Sequence, residues 1–191
     1  MGTGGQDGLI ARLVLVNGVP GAGKTTVARR VVDELPLALL LDVDAVRTTL
    51  GQWDRDESSR LLARQLATAM ADAHLVTGHD VVISQYVGRL SFVEGLETLA
   101  GRSGATFVEC LLDVPPEVAI ARFRARRAHL ADAGERHPEG DFPDDAVEAE
   151  VHEAHHRLRE LAARRPSTHI IPVDDDAAVA AAAVRAVIDR T

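Results

Sequence analysis

The sequence predicts an α/β fold, a parallel sheet covered by helices on both sides. Short runs rich in Val, Ile and Leu alternate with amphipathic stretches along the chain, the pattern of strands buried on both faces and joined by covering helices. The first of these runs leads directly into a glycine-rich segment with a lysine and two threonines, Gly18-Val19-Pro20-Gly21-Ala22-Gly23-Lys24-Thr25-Thr26. The length of 191 residues suits one domain with a sizeable core and is short for two ordinary ones.

Taken in order, the expected strands are 11–17, 37–42, 80–84, 105–113 and 168–174, each a short apolar run. Between and after them the spacing predicts helices over 24–35, 56–77, 90–101, 115–128, 145–164 and 176–189. Residues 1–10 read as a flexible leader and 11–191 as a single domain. The stretch "AHLADAGERHPEGDFPDD", 128–145, combines prolines, glycines and charges and reads as a mobile loop between two helices.

Composition limits the function classes. Apolar residues make up 46% and charged residues 26%, as in a soluble globular chain. No apolar run reaches the length of a membrane span, and the first residues lack the regions of a signal peptide. The net charge of −8 argues against nucleic acid, whose binding depends on neutralising phosphates with Lys and Arg. A single cysteine, Cys110 in "TFVECLL", suits a reducing cytoplasm and reads as a buried small hydrophobe.

Residues 18–25 fit G-x-x-x-x-G-K-[ST], with a strand before and a helix after as that motif requires. Glycines let backbone N–H groups curl around an anion, and a helix N-terminus adds partial positive charge. Lys24 then reaches the β- and γ-phosphates of a nucleotide, and the Thr25 hydroxyl takes a magnesium position.

Strand two ends "LLLDVDAVR", which places Asp42 and Asp44 at the carboxyl end of a parallel strand, where such sheets bind ligands. Two residues apart in extended chain, they project to the same side. One acid can hold magnesium-bound water, Asp42 by preference, while Asp44 accepts a proton from an attacking hydroxyl. The structural alternative is that they cap a helix starting near Ala45. Strand three ends in Ser84, Gln85 and Tyr86, where motor and switch ATPases carry an acid. The chain also lacks room for the additional helical domain of AAA-type ATPases.

This set of motifs resembles the small P-loop kinases: adenylate kinase, shikimate kinase, chloramphenicol phosphotransferase, the zeta-toxin group and small kinases described as AAA domains. "VPPEVAIARFRARRAH", 114–129, is similar to the beginning of the adenylate kinase lid. The resemblance implies a three-layer P-loop NTPase fold, five strands in the order 2-3-1-4-5, and a helical lid inserted at about 126–145. By the same resemblance Arg122 contacts the adenine–ribose side and Arg126 the transferring phosphate, with Arg127 as the alternative. A guanidinium fork suits the charge that spreads over the phosphoryl oxygens, and a spacing of four keeps Arg122 and Arg126 on one helix face. "VDDDAAVAAAAVRAVI", 173–188, resembles the last strand, turn and helix of adenylate kinase, where the turn faces adenine. Residues 44–101 depart from the nucleoside-monophosphate site of that enzyme and are closer to small-molecule phosphotransferases.

"HEAHH", 152–156, formally satisfies H-E-x-x-H. Its flanks are those of a charged surface helix, which reads as a lid-closing element with His155 or Arg157 near phosphate rather than a zinc site. His129 and His137 read as lid surface.

The sequence reading is therefore a cytoplasmic phosphotransferase using ATP and Mg2+, with a small hydroxylated acceptor such as a metabolite, nucleoside or antibiotic. It is a monomer or homodimer. Arg47, Gln85, Tyr86 and Arg89 are the candidate acceptor contacts beside Asp44. The rival classes are a polynucleotide 5′-end kinase, disfavoured by the acidic balance and 3% aromatic content, and a regulatory ATPase without an acceptor, disfavoured by the paired aspartates.

Overall fold

The computed structural model describes residues 10–134, 143, 145–174 and 176–191. Its elements run β1 (Arg12–Asn17), α1 (Lys24–Asp33), β2 (Leu39–Asp42), α2 (Val43–Thr48), α3 (Ser59–Leu75), β3 (Val81–Ser84), α4 (Leu90–Arg102), β4 (Thr106–Asp113), α5 (Pro116–Asp132), α6 (Ala146–Arg164), β5 (His169–Pro172) and α7 (Ala177–Ile188). The sheet has the order β2-β3-β1-β4-β5 and every pairing is parallel, as expected.

β1 lies between β3 and β4, with Leu13 opposite both Val81 and Phe107. This central place explains why Leu13, Val14, Leu15 and Val16 are completely buried and why the run does not alternate with polar residues. At the edge, β5 leaves His169 and Ile170 exposed. α1 and α7 pack together on one face of the sheet, α3 and α4 on the other, and α5 pairs with α6. α3 approaches through Ala63, Ala67, Ala71 and Leu75, a thin stripe at helical spacing that lets its backbone come close.

The parallel register brings all five carboxyl ends to one edge. Asp42 stands opposite Ser84, and Asp113 opposite Pro172. A ligand site at this edge follows from the topology.

Two polar devices lock the sheet. Asp80 accepts from the Arg12 backbone N–H at 2.7 Å and from its guanidinium at 3.1 and 2.8 Å, joining the starts of β1 and β3. Glu109, 3% exposed on β4, accepts from Arg165 Nε at 2.6 Å, and Glu97 on α4 accepts from the same guanidinium at 3.0 Å. Cys110 is buried as expected, and burial pushes its thiol up to about 12.

Two expectations change. The chain turns helical at Val43, directly after β2, so Asp42 and Asp44 are not two steps of an extended strand. The helix expected to end at 128 continues to Asp132 because nothing in 116–132 breaks it, so the loop expected over 128–145 starts later. Of that loop, 135–142 and 144, with His137 among them, lie outside the described residues, as do 1–9 of the expected leader. No helix among the described residues is long and apolar enough to cross a membrane.

Candidate active site

The phosphate loop is held from below by a buried amide. Asn17 Nδ2 donates to the Val87 carbonyl at 2.9 Å, and its Oδ1 accepts from the N–H groups of Val87 and Gly18, each at 2.9 Å. The loop and the turn after β3 are thereby fastened together. Within the loop, the Val19 carbonyl accepts from the Ala22 N–H at 3.0 Å and from Lys24 Nζ at 2.9 Å. Gly21 has φ of 80°, and a Cβ there would run into the Ala119 carbonyl, so this position needs glycine twice over. Gly18 is pressed against Ala22, 3.0 Å from where its own Cβ would lie, so it serves loop packing. α1 begins at Lys24 with no acid in its first turn, which leaves its N-terminal partial charge available to an anion.

A cavity of about 750 Å³ opens above this loop. Gly21, Gly23, Lys24, Thr25 and Thr26 line one side, and Asp42, Asp44 and Ser84 stand across it. Thr25 Oγ1 donates to Asp42 Oδ2 at 2.9 Å and lies 3.1 Å from Ser84 Oγ. Three oxygens therefore converge at the end of the loop, the donor set that a hard divalent cation takes. Thr25 and Asp42, the expected magnesium ligands, stand side by side here. Ser84 joins them where an acid is sought in the sequence, and its neighbour across the sheet, Asp42, supplies the carboxylate instead.

Asp42 has a second task. Its Oδ1 accepts from the backbone N–H groups of Asp44 at 3.0 Å and Ala45 at 3.1 Å, capping α2. The cap is thus Asp42, and Asp44 sits in the first helical turn. Both still face the cavity, because the helix turns Asp44 towards the loop.

From the far side, α5 brings Arg122 and Arg126 to the same cavity, together with His129 and Leu130. The spacing of four works as anticipated. Arg127 points elsewhere and does not line it. His129 is a cavity residue rather than plain surface, and Trp53 closes the wall beside Thr48. Beyond Phe123 no described residue of α5 is buried, so its second half stands off the core. A smaller recess of about 230 Å³ adjoins the loop between Thr26, Arg122, Val173, Asp174 and Ala177, where Arg122 donates to the Asp174 carbonyl at 3.3 Å. It coincides with the turn expected to face adenine.

Gln85, Tyr86 and Arg89 do not line the main cavity. They line a groove of about 430 Å³ with Arg64, Phe92 and Arg157. A recess of about 210 Å³, shared by Asp44, Arg47, Arg64, Gln85 and Tyr86, joins the two. Gln85 Oε1 is buried without a hydrogen-bond partner. Burial pushes the Tyr86 phenol up, opposed by nearby Arg157. Arg47 is 7% exposed; it donates to Ser59 Oγ at 2.9 Å and to the Trp53 carbonyl at 3.1 Å, and its guanidinium lies 5.0 Å from the Trp53 ring centre. Its main work is to fold the segment between α2 and α3, and burial, aided by Arg60, lowers its pKa.

Of the H-E-x-x-H residues, Glu153 and His156 sit in separate surface pairs. Glu153 accepts from Arg157 at 2.8 Å, and His156 lies 3.7 Å from Glu160. His155 is 3.7 Å from Asp113, which also receives Arg159 at 3.2 and 3.1 Å. Sequence reasoning misses Asn17, Trp53, Arg64 and Ser84; of these only Asn17 carries a local signal, a polar residue ending an apolar strand.

Residues 13–161 match the family model described as AAA domain. Thymidylate kinase of Xanthomonas oryzae pv. oryzae is 31% identical over 139 residues, which cover 60% of this chain and 61% of that protein. The chain thus spans about three fifths of the length of the curated relatives it matches. Among solved structures, one from the Pnkp1/Rnl/Hen1 RNA repair complex has a TM-score of 0.67 at 16% identity, covering 85% of this chain and 49% of that one. A gluconokinase from Sinorhizobium meliloti 1021 has a TM-score of 0.57 at 16% identity, covering 95% and 96%. By the extent of the matched model this chain belongs to the AAA domain family, and it has the small P-loop kinase fold.

Proposed function

We propose that the protein transfers the γ-phosphoryl group of ATP to a hydroxyl of a small acceptor, with Mg2+ as cofactor. One observation supports this most: Lys24, Thr25, Asp42, Asp44 and Arg126 share a single cavity. A regulatory nucleotide switch needs the loop but has no use for a second carboxylate, Asp44, and an arginine lining the same cavity.

In this reading the ribose side of ATP rests against Arg122 and the recess near Asp174. Lys24 leaves the Val19 carbonyl for the β- and γ-oxygens. Thr25 and Asp42 hold Mg2+, which neutralises charge on the phosphates when bound. Asp44 accepts the proton of the attacking hydroxyl as that oxygen bonds to phosphorus and the bond to the β-phosphate oxygen breaks, leaving ADP. Lys24 and Arg126 stabilise the charge on the equatorial oxygens during transfer. Arg47, Gln85, Tyr86 and Arg89 lie towards the acceptor.

The test is ATP turnover with Mg2+ against hydroxylated metabolites, nucleosides and antibiotics. Gluconate and thymidylate belong in the panel because similar proteins bear those names. Acceptor-stimulated ADP release that Lys24→Ala abolishes is the expected result. Turnover unchanged in Lys24→Ala, or unaffected by any acceptor, overturns the reading.

A further inference from the structure

We infer that the acceptor carries an anionic group, a carboxylate or phosphate ester, bound by Arg64, Arg89 and Arg157 in the groove beyond Gln85 and Tyr86. This rests on the phosphotransfer reading for its hydroxyl end and adds the chemistry of the other end.

The groove continues the path that starts at the phosphate loop. Asp44 belongs both to the main cavity and to the connecting recess, while Arg64, Gln85 and Tyr86 belong to the recess and the groove. An acceptor with its hydroxyl at Asp44 therefore extends naturally towards the three arginines. Among the described residues, three cations and no carboxylate line this groove, while Glu150 lines the recess that leads to it. That concentration of charge stands out in a chain of net charge −8, where a basic patch is not a by-product of a basic surface. Low-dielectric walls and one sign of charge focus an anion into such a cleft.

The arginines are also presented for use. The Arg64 guanidinium lies over the Phe92 ring, 5.6 Å from its centre, a cation–π contact that engages the charge without using up an N–H donor that a planar or tetrahedral oxyanion needs. Among the described residues, no carboxylate lies within ion-pair distance of Arg64 or Arg89. Arg157 donates Nε to Glu153 and also acts on the Tyr86 hydroxyl beside the groove.

Two further features point the same way. Arg89 is the N-cap of α4, which has no side-chain cap and no acid in its first turn, so the positive end of that helix adds to the groove. Gly88 forms its floor, where a Cβ would stand 2.7 Å from the Tyr86 hydroxyl; any side chain would displace the tyrosine and fill the space. Buried Gln85 Oε1 then accepts from a second hydroxyl of the acceptor, satisfying an atom that lacks a partner.

The experiment has a binding arm and a turnover arm. With the loop saturated by Mg2+ and a non-hydrolysable ATP analogue, inorganic phosphate and acetate are titrated separately while arginine side-chain NMR signals are followed. Shifts of Arg64, Arg89 and Arg157 are expected with at least one anion, and which anion acts distinguishes phosphate from carboxylate. Arg64→Gln with Arg89→Gln, both at exposed positions, should abolish them. Turnover is then compared for matched pairs, glycerate with glycerol, gluconate with glucose, and nucleoside monophosphate with nucleoside. The charged member should be preferred, and the double variant should raise its KM at least tenfold and much more than the KM for ATP. Anion binding without transfer to any acceptor would support the groove and remove the phosphotransfer reading. No shift with either anion, or equal use of neutral acceptors by native and variant protein, overturns the inference.

Discussion

Thr25 and Asp42 meet at the wall of the nucleotide cavity in a 2.9 Å hydrogen bond, and the same carboxylate caps α2 through the N–H groups of Asp44 and Ala45. One side chain thus ties the phosphate loop to the helix that carries the other aspartate. Asparagine caps as well as aspartate does, so Asp42→Asn removes charge while keeping the helix start. We expect it to raise the Mg2+ concentration needed for half-maximal turnover, with thermal stability changed by less than about 1 kcal/mol. Asp44→Asn should instead lower the chemical step by roughly 10²–10⁴-fold and nearly keep ATP affinity. Magnesium titrations and single-turnover rates on both variants separate the roles, and the reverse pattern exchanges them.

Arg126 stands on the half of α5 that has no buried residue after Phe123. Such a segment opens easily, and charge placed beside Arg122 and Arg126 should draw it in. An ATP analogue with acceptor should slow amide exchange over residues 124–134, and Arg126→Ala should cancel much of that protection. Turnover in this variant should fall by about 10²-fold, well beyond any change in ATP affinity. Equal protection with and without ligands would show a fixed helix.

Arg165 covers Glu109 so closely that the carboxylate is only 3% exposed. Arg165→Ala would leave that charge buried without its partner, at a cost of about 3–5 kcal/mol. Urea denaturation measures it. Glu109→Gln introduced into the same variant should restore much of the loss, because the stranded charge is then gone.

Cys110 supplies a pH dependence. Its thiol has a folded-state value of about 12 against 9.0 for the free group. Below pH 9 both states hold the proton and stability does not depend on it. Between 9 and 12 only the unfolded chain loses it, so stability falls as pH rises, by about 1.4 kcal/mol per pH unit. Unfolding free energies at pH 8, 9.5 and 10.5 should decline more steeply in the native protein than in Cys110→Ala. Parallel slopes would mean that the thiol is less shielded than its position indicates.

Features set by near neighbours are legible along the chain. The strands declare themselves because a strand covered on both faces has no polar side to show, and the sheet order is what the resemblance to the small P-loop kinases implies. Gly21 and Gly23 belong to the motif because the backbone itself must bend there. Lys24, Thr25, Arg122 and Arg126 depend on helical spacing, which does not change between sequence and fold. Asp42 and Asp44 are identified correctly as residues lining the cavity, yet for a different geometric reason: capping by Asp42 starts a helix where extended chain is expected. The groove beyond Gln85 and Tyr86 is decided by packing. Arg64 on α3 looks like an ordinary charged position on an exposed helix, while Arg89 at the start of α4 and Arg157 on α6 are singled out along the chain without any sign that the three share one groove. They meet only because the Asn17 clamp holds the β3 turn against the phosphate loop and α6 is tethered to Asp113 through Arg159. Such meetings between residues far apart in sequence leave no local pattern, since solvation of a single arginine is the same whatever later folds beside it.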